Sequence, residues 1–176
     1  MRLFSAIWPP ERAVAHLNKT FTSVALPPSL RPTPPRRWHV TLCFYGNGGD
    51  PAERAAFLDQ QLANLPAPRL RLAGAGTFPG VLWVGVRPVN AADREVLRRL
   101  AAASGAGRRF RAHVTIARWR LDLPSPVPGM EEQLAGYRGP IWSPPEVSLV
   151  RSEQGPGGPV YTTLHTVALA DPNGLR

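Results

Sequence analysis

Cysteine and lysine are nearly absent from this sequence. Cys43 is the only cysteine in 176 residues, and Lys19 is the only lysine. A disulfide framework is therefore excluded, and Cys43, which follows Leu42 in an apolar stretch, is expected to be a small buried thiol. This cysteine usage is typical of proteins of the reducing cytoplasm, where we expect the chain to act.

Long apolar runs are also absent. Nowhere do 18 consecutive apolar residues occur, and the apolar run within residues 1–10 is too short for the core of a signal peptide. We therefore expect neither membrane insertion nor secretion.

Acidic residues are scarce. Twelve Asp and Glu oppose 21 Lys and Arg, which gives a formal net charge of +9. This excess predicts a polyanionic partner, either nucleic acid or another phosphate-bearing ligand. At 43% hydrophobic content the chain can bury one good core, or two small lobes that share an interface, and we expect residues 1–176 to form a single compact domain. We also expect a monomer.

A His-Val-Thr triplet occurs twice, at residues 39–41 and 113–115. Each triplet lies in a short β-branched and apolar run that predicts a strand, in which residues i and i+2 point to the same side. One imidazole and one hydroxyl would then share a face in each half, an arrangement suited to phosphate chemistry. A single copy would more simply be a half-buried strand with hydrogen-bonded side chains, but the duplication favours a functional role.

The duplication extends beyond the triplets. Residues 2–9 align without gaps on residues 81–88, and each segment precedes a helical pattern and then a His-Val-Thr strand. The apolar spacing predicts helices from Glu11 to about Val24 and from about Ala91 to Ala103. Two similar strand-helix-strand lobes related by a rough two-fold axis would place the two His-x-Thr faces opposite each other across a cleft.

The remaining segments complete an α+β pattern. Asp50 and Pro51 predict a helix start of the N-cap and N1 type, with the helix running to about Asn64. A proline-rich loop past Trp119 is expected to lead to a short helix at about residues 129–137. Runs at residues 142–152 and 160–169 flank a glycine-rich turn at residues 154–159 and predict a hairpin.

Several motifs together resemble one family over essentially the whole chain. The chain is similar to the 2H phosphoesterase superfamily, and within it to the bacterial and archaeal RNA 2′,3′-cyclic phosphodiesterases once called 2′-5′ RNA ligases. The resemblance is carried by the Arg-Leu-Phe-Ser-Ala-Ile start, the Trp-His-Val-Thr-Leu-Cys-Phe-Tyr-Gly block at 38–46, Gly-Thr-Phe-Pro at 76–79, Val-Leu-Trp at 81–83, Phe-Arg-Ala-His-Val-Thr-Ile-Ala-Arg at 110–118 and Leu-Val-Arg-Ser-Glu at 149–153.

The resemblance carries expectations for fold and activity. It implies a bilobal α+β fold with two antiparallel sheets in pseudo-two-fold symmetry, helices on the outside and the active site in the cleft between the lobes. It also implies hydrolysis of a 2′,3′-cyclic phosphate at an RNA end to a 2′-phosphate, without metal or other cofactor. The partner would be RNA with such an end, tRNA-derived ends being one candidate.

Chemistry assigns the catalytic pair. Opening a cyclic phosphodiester needs a base for water on one side of phosphorus and an acid for the departing ribose oxygen on the other, and two imidazoles can do both. His39 and His113 are therefore the predicted catalytic residues, with the order open on the residues alone; the resemblance favours His39 as acid and His113 as base. Thr41 and Thr115 are expected to bind the non-bridging phosphate oxygens.

Two further residues, each five positions after one of the histidines, are candidates for substrate binding. Arg118, five residues beyond His113, would offset phosphate charge, and Phe44, five beyond His39, could stack on a base or be a core residue. In a continuous strand this odd spacing puts each on the face opposite its histidine, so that a β-bulge or a strand end is needed.

Other functions remain open at this point. A two-histidine metal site is poorly supported, because no Asp, Glu or Cys lies in register with the histidines and Thr is a weak zinc ligand. A non-catalytic module that binds RNA ends would fit the same basic cleft. The shared motifs also allow 2′-5′ RNA ligation or hydrolysis of a small cyclic nucleotide.

Overall fold

The structure, a computed structural model, describes residues 1–122 and 129–171. The described residues form an α+β fold of four α-helices and one curled, eight-stranded sheet in which every pair of neighbouring strands is antiparallel. The predicted fold class is confirmed. Part of the proline-rich loop expected after Trp119 lies outside the described residues.

The elements have the following bounds. The strands are β1 (Arg2–Ile7), β2 (Arg31–Pro32), β3 (Val40–Asn47), β4 (Leu70–Phe78), β5 (Val81–Pro88), β6 (His113–Arg118), β7 (Glu146–Gly155) and β8 (Gly158–Ala168). The helices are α1 (Glu11–Thr22), α2 (Pro51–Leu62), α3 (Ala91–Ala103) and α4 (Met130–Ala135).

Capping side chains fix where two helices begin. The Asp50 carboxylate accepts the backbone N–H of Ala52 at 2.8 Å, with Pro51 as the first helical residue, as predicted. Asn90 does the same for α3 by accepting the N–H of Asp93 at 2.8 Å. The predicted bounds of α3 are confirmed, whereas α1 and α2 each end two residues earlier than their apolar spacing predicts.

The sheet consists of two halves that meet at one point. Its order is β4-β5-β6-β3-β1-β7-β8, with the short β2 also pairing with β6. Between β3 and β6 a single residue pair, Val40 and Val114, is in register. The two predicted antiparallel sheets are therefore present as the two halves of one sheet, joined by this seam.

The predicted internal repeat is present in the topology. In one half β1, α1 and β3 occur in this order, with the short β2 between α1 and β3, and β1 and β3 pair antiparallel. In the other half β5, α3 and β6 follow each other directly, and β5 and β6 also pair antiparallel. Each unit ends in the strand that carries a His-Val-Thr triplet.

The two faces of the sheet differ in what covers them. Leu3 and Ile7 of β1 belong to the main core, which also takes a buried leucine from each helix: Leu17, Leu58, Leu97 and Leu134. Phe4 and Ala6, which alternate with them, form a separate small cluster with Val150 on the other face. The helices therefore cover one face and leave the other for the site. None of the described helices is long and apolar enough to cross a membrane.

The β7–β8 hairpin is longer than predicted. Its strands reach Gly155 and Gly158, so only Pro156 and Gly157 form the turn. Gly158 has a φ of +97°, which favours glycine, and the side chain of Arg37 donates to the carbonyl oxygen of Gly157 at 2.9 Å. This contact ties the hairpin tip to the 3₁₀ turn at Pro35–Arg37, directly before His39.

Candidate active site

The seam between the two halves brings the His-Val-Thr triplets together. Val40 and Val114 are paired and fully buried on the core face, so the residues flanking them point to the opposite face. Continued by one residue in each direction, the register sets His39 opposite Thr115 and Thr41 opposite His113. The histidines are then diagonal neighbours, with Cα atoms roughly 7–8 Å apart.

Both imidazoles make the same hydrogen bond. Nδ1 of His39 lies 2.7 Å from the carbonyl oxygen of Arg37, and Nδ1 of His113 lies 2.7 Å from the carbonyl oxygen of Arg111. A carbonyl oxygen only accepts, so Nδ1 carries the proton and donates in each ring. Nε2 is therefore the nitrogen that gains or loses a proton in both histidines.

Aromatic rings surround both imidazoles. The His39 ring lies 5.0 Å from Phe4, 5.2 Å from Trp8 and 5.0 Å from Tyr161, the last edge-on. The His113 ring lies 5.2 Å from Phe78, also edge-on, and 6.1 Å from Trp83. These rings hold the imidazoles in place and exclude water from their sides.

Burial among these rings favours neutral histidines. It lowers the pKa of His39 from 6.5 to about 4, against the opposing effect of the Arg37 hydrogen bond and with smaller contributions from the charges of His113 and Arg118. Burial also lowers the pKa of His113, against the opposing effect of the hydrogen bond to the Arg111 carbonyl oxygen and with smaller contributions in the same direction from the charges of Arg111 and Arg118. Both Nε2 atoms are consequently available as proton acceptors at neutral pH.

Equivalent β-bulges follow the two triplets. Between β1 and β3, Ala6 pairs with Thr41 and Ser5 with Cys43, which leaves Leu42 as an extra residue. Between β5 and β6 the extra residue is likewise the one after the Thr, because Trp83 pairs with Thr115 and Leu82 with Ala117. The one-residue bulge reverses the alternation of side chains beyond it.

The bulge brings Arg118 to the histidine face. Ile116 and Ala117 are both fully buried in the core, and Arg118 then pairs with Val81 on the face of Trp83. Its charge contributes to the lowered pKa of both His39 and His113. Within the described residues its guanidinium has no hydrogen-bond or ion-pair partner, so it is available to a ligand.

Phe44 reaches the same face through the other bulge. It pairs with Phe4, its ring lies 5.9 Å from the Phe4 ring, and 71% of its surface is exposed. The alternative of a core phenylalanine is therefore wrong. Its exposed ring lies beside the aromatic group that surrounds His39.

Several residues at the site were not predicted. Phe4 and Trp83 occupy equivalent positions in the aligned repeat, and each contacts the histidine of its own half. The repeat could have identified this pair. Trp8, Phe78 and Tyr161 had no such signal, because their contacts depend on neighbouring strands and on the bulges.

The arginines next to the triplets have separate roles. Arg37 and Arg111 supply the carbonyl oxygens that orient the histidines, and the Arg111 guanidinium lies 5.4 Å from the centre of the Trp83 ring.

In the described part of the chain, no three His, Cys, Asp or Glu side chains come close enough together to hold a metal ion.

Comparisons with known proteins identify the family of this chain. The sequence profile of the 2′-5′ RNA ligase superfamily matches residues 8–156. An RNA 2′,3′-cyclic phosphodiesterase of Thermus thermophilus is 33% identical over 198 residues, covering 99% of this chain and 93% of that protein.

Solved structures give the same result. The crystal structure of TT0787 of Thermus thermophilus superposes with a TM-score of 0.74 at 30% identity, over 98% of this chain and 100% of that one. Escherichia coli LigT complexed with 3′-AMP superposes with a TM-score of 0.70 at 26% identity, over 96% of each chain. On this evidence the chain belongs to the 2′-5′ RNA ligase superfamily and is a 2H phosphoesterase.

Proposed function

We propose that this protein hydrolyses 2′,3′-cyclic phosphate ends of RNA to 2′-phosphomonoesters by acid/base catalysis with His39 and His113. The observation that carries the proposal is the matched pair of imidazoles. Each donates through Nδ1 to a backbone carbonyl and presents Nε2 on the same face of the sheet. The name of the Thermus relative supports the substrate.

The proton transfers balance over the two rings. Nε2 of His113, as base, takes a proton from water while the water oxygen bonds to phosphorus. The bond from phosphorus to O3′ breaks, and Nε2–H of His39, as acid, protonates the departing oxygen. The product carries a 3′-hydroxyl and a 2′-phosphate. In the protein without substrate, the pKa of His39 is lowered to about 4. The negative charge of the bound phosphate must raise this pKa for the ring to hold the proton that it donates.

The phosphate would be held between the triplets. Thr41 and Thr115 each lie opposite the histidine of the other half, and their hydroxyls would donate to the non-bridging oxygens. The unpartnered Arg118 guanidinium would stabilise the charge that builds up on them. Phe44 offers an exposed ring on which the terminal base can stack.

The proposal includes the setting of the reaction. The site residues supply every proton transfer, so we propose that hydrolysis needs no metal ion. We also propose that the protein acts in the cytoplasm as a monomer on cyclic-ended RNA, including tRNA-derived ends. The single free thiol, Cys43, agrees with a reducing compartment.

The decisive experiment is an incubation of the protein with an RNA decamer ending in 2′,3′-cyclic phosphate, in the presence of EDTA. Sensitivity of the product to alkaline phosphatase, which does not act on a cyclic phosphate, identifies it as a phosphomonoester, and comparison with synthetic 2′- and 3′-phosphate standards identifies the isomer. A 2′-phosphate formed at an undiminished rate in EDTA is expected.

Other outcomes assign other functions. RNA that is bound but recovered unchanged would mean a non-catalytic RNA-end-binding module. A joined product with an added 5′-hydroxyl RNA would indicate 2′-5′ ligation. Faster turnover of a nucleoside 2′,3′-cyclic phosphate than of the decamer would indicate a small-nucleotide enzyme, and a 3′-phosphate product would contradict the assigned leaving group.

A further inference from the structure

A second basic site lies on the histidine face, outside the cleft. A cavity of about 450 Å³ is lined by β4, β5 and the segment after α4, and it contains Arg71, Arg87 and Arg138 but no acidic residue. Within the described residues none of these three guanidinium groups has a hydrogen-bond or ion-pair partner. The site therefore holds three uncompensated positive charges.

The sheet register brings the three arginines together. Arg71 of β4 is directly opposite Arg87 of β5. Arg138 bridges to Ala73, two residues beyond Arg71, and the following N–H of Gly139 donates to the Leu72 carbonyl oxygen at 2.8 Å. Like charges directly opposite each other destabilise a sheet, so the protein keeps this arrangement at a cost in stability that a bound anion would remove.

The cavity lies next to the active site along β5. Gly85 pairs with His113, and Arg87 lies two residues further along the same face of β5, roughly 7 Å away. The backbone N–H of Val86 donates to the Ala112 carbonyl oxygen at 3.0 Å, which extends the pairing so that Arg111 comes opposite Arg87. Arg71 of β4, Arg87 of β5 and Arg111, two residues before β6, therefore form a row across the sheet.

The Arg87 side chain packs beside Gly85, the residue that pairs with His113. A Cβ at Gly85 would lie 2.8 Å from the Ala73 carbonyl oxygen and 3.4 Å from Nε of Arg87, so a side chain at position 85 is excluded. The Arg87 side chain and the Trp83 ring, whose Cζ3 would lie 3.7 Å from that Cβ, occupy the space over Gly85 instead. RNA that leaves the cleft along β5 would therefore meet Arg87 first.

We propose that Arg71, Arg87 and Arg138 bind a backbone phosphate of the RNA upstream of its cyclic end. The inference rests on the proposed function and deepens it, because it makes the substrate a polynucleotide whose chain leaves the cleft along the second half of the sheet. Guanidinium groups match a phosphodiester by paired N–H donors, and three of them can neutralise it without reading the base.

Binding measurements test this without requiring turnover. The probe is a fluorescein-labelled RNA decamer ending in a 3′-phosphate, and its Kd is measured by fluorescence anisotropy for the wild type and for Arg71→Gln, Arg87→Gln and Arg138→Gln. Arg99→Gln is the matched control, since Arg99 is an exposed arginine of α3, on the helix side of the sheet. A roughly 3- to 10-fold increase in Kd is expected for each of the three variants and none for the control.

Length dependence separates RNA from a free phosphate. Competition by a nucleoside 3′-phosphate gives the affinity of the cleft alone. The three variants should bind the decamer more weakly and the nucleoside 3′-phosphate equally well, so the ratio of the mononucleotide affinity constant to the decamer affinity constant should rise. For each lost contact the slope of log Kd against log salt should fall by about 0.7. An equal loss for mononucleotide and decamer, or a loss no larger than that of Arg99→Gln, overturns the inference.

The variants also report on folding. Removal of one of two opposed charges is expected to leave the Tm of Arg71→Gln unchanged or higher, and a lower Tm would mean that the arginine has a structural role instead. If the wild type binds the decamer tightly but does not hydrolyse a cyclic end, the proposed function fails while the phosphate site stands. If it hydrolyses the cyclic end but the variants bind normally, the phosphate site alone fails.

Discussion

At the scale of single residues, the two histidines have the same contact through Nδ1 and different proposed tasks at Nε2. His39→Ala and His113→Ala should each lower kcat for a cyclic-ended RNA by about 10²- to 10⁴-fold with little change in binding. Unchanged kcat in either variant would remove that histidine from the mechanism.

A substrate with a good leaving group distinguishes acid from base. A uridine 2′-(4-nitrophenyl phosphate) releases nitrophenolate, which needs no protonation, when its own 3′-hydroxyl attacks phosphorus. The group that protonates the departing ester oxygen is then dispensable, whereas the group that deprotonates the attacking hydroxyl is required. By microscopic reversibility the ring that serves as acid towards a ribose oxygen in hydrolysis serves as base in this reaction, so His113→Ala should be rescued and His39→Ala should not. The opposite pattern of nitrophenolate release at 405 nm would exchange the two roles.

The lowered pKa of His39 has a consequence for stability. A histidine whose pKa falls from 6.5 to about 4 on folding binds fewer protons in the folded state, so folding stability is lost as pH falls from about 6.5 towards 4. The loss amounts to about 1–3 kcal/mol. His39→Asn lacks this titration, so its stability relative to the wild type should rise between pH 7.5 and pH 4.5 in urea unfolding. A difference that is constant with pH would mean that His39 is not desolvated.

The sequence predicted the two candidate catalytic histidines because the triplet is duplicated. One His-Val-Thr could have been an ordinary strand, and only the second copy indicated a shared site. The aromatic residues around the imidazoles were not predictable in the same way. Tyr161 lies on β8, and its contact with His39 depends on the order of the strands in the sheet. Local sequence patterns do not predict that order.

At the scale of elements, the matched bulges explain what strand alternation alone could not. In a regular strand, Phe44 and Arg118 would lie on the face opposite the histidines. One extra residue after each Thr brings both side chains to the histidine face. The run Leu-Cys-Phe or Ile-Ala-Arg contains no glycine or proline that would mark such a bulge. A bulge of this kind depends on pairing with β1 or β5, which is set by the tertiary fold.

The pairing of β4 with β5 positions one of the rings beside His113. The Trp83 ring lies over Gly76, and a Cβ at Gly76 would come within 2.6 Å of Trp83 Cη2. Gly76→Ala should therefore displace Trp83, lower the free energy of unfolding by about 1–3 kcal/mol and reduce kcat.

Gly107→Ala is the control for this change. A Cβ at Gly107 meets no atom within 4 Å, so the same substitution there should leave the unfolding midpoint and kcat nearly unchanged. Equal effects of both substitutions in thermal unfolding and turnover assays would contradict the role given to the Gly76–Trp83 contact.

At the scale of the whole molecule, the net charge of +9 is expected to act on the RNA rather than on the fold. With about two phosphates neutralised, one by Arg118 and one by Arg71, Arg87 and Arg138, log Kd for the RNA decamer should rise with log salt with a slope of about 1 to 2. KM for a nucleoside 2′,3′-cyclic phosphate should rise less steeply over the same range of NaCl concentration. Equal slopes for both substrates would mean that the basic surface outside the cleft does not contact RNA.

The two-lobed arrangement followed from the sequence repeat, but the seam did not. The alignment of residues 2–9 with 81–88 predicted two similar units and a cleft between them. It could not predict that β3 and β6 touch at a single residue pair, because that contact joins the ends of the two units. The basic row on β4 and β5 was also missed, since Arg71 and Arg87 are distant in the sequence and lie together only through the hairpin.

Because His39 and His113 make identical Nδ1 contacts, the site is equally suited to opening the cyclic phosphate and to the reverse reaction. The ring that gives a proton during ring opening is the one that removes it when the bond is made again, and no regrouping of hydrogen bonds is needed between the two events. On the proposed mechanism, the same catalyst would join a 5′-hydroxyl RNA to a cyclic end wherever that hydroxyl outcompetes water. Hydrolysis and ligation would then be two reactions of the same site. The concentration of the 5′-hydroxyl RNA relative to water would determine which of them occurs.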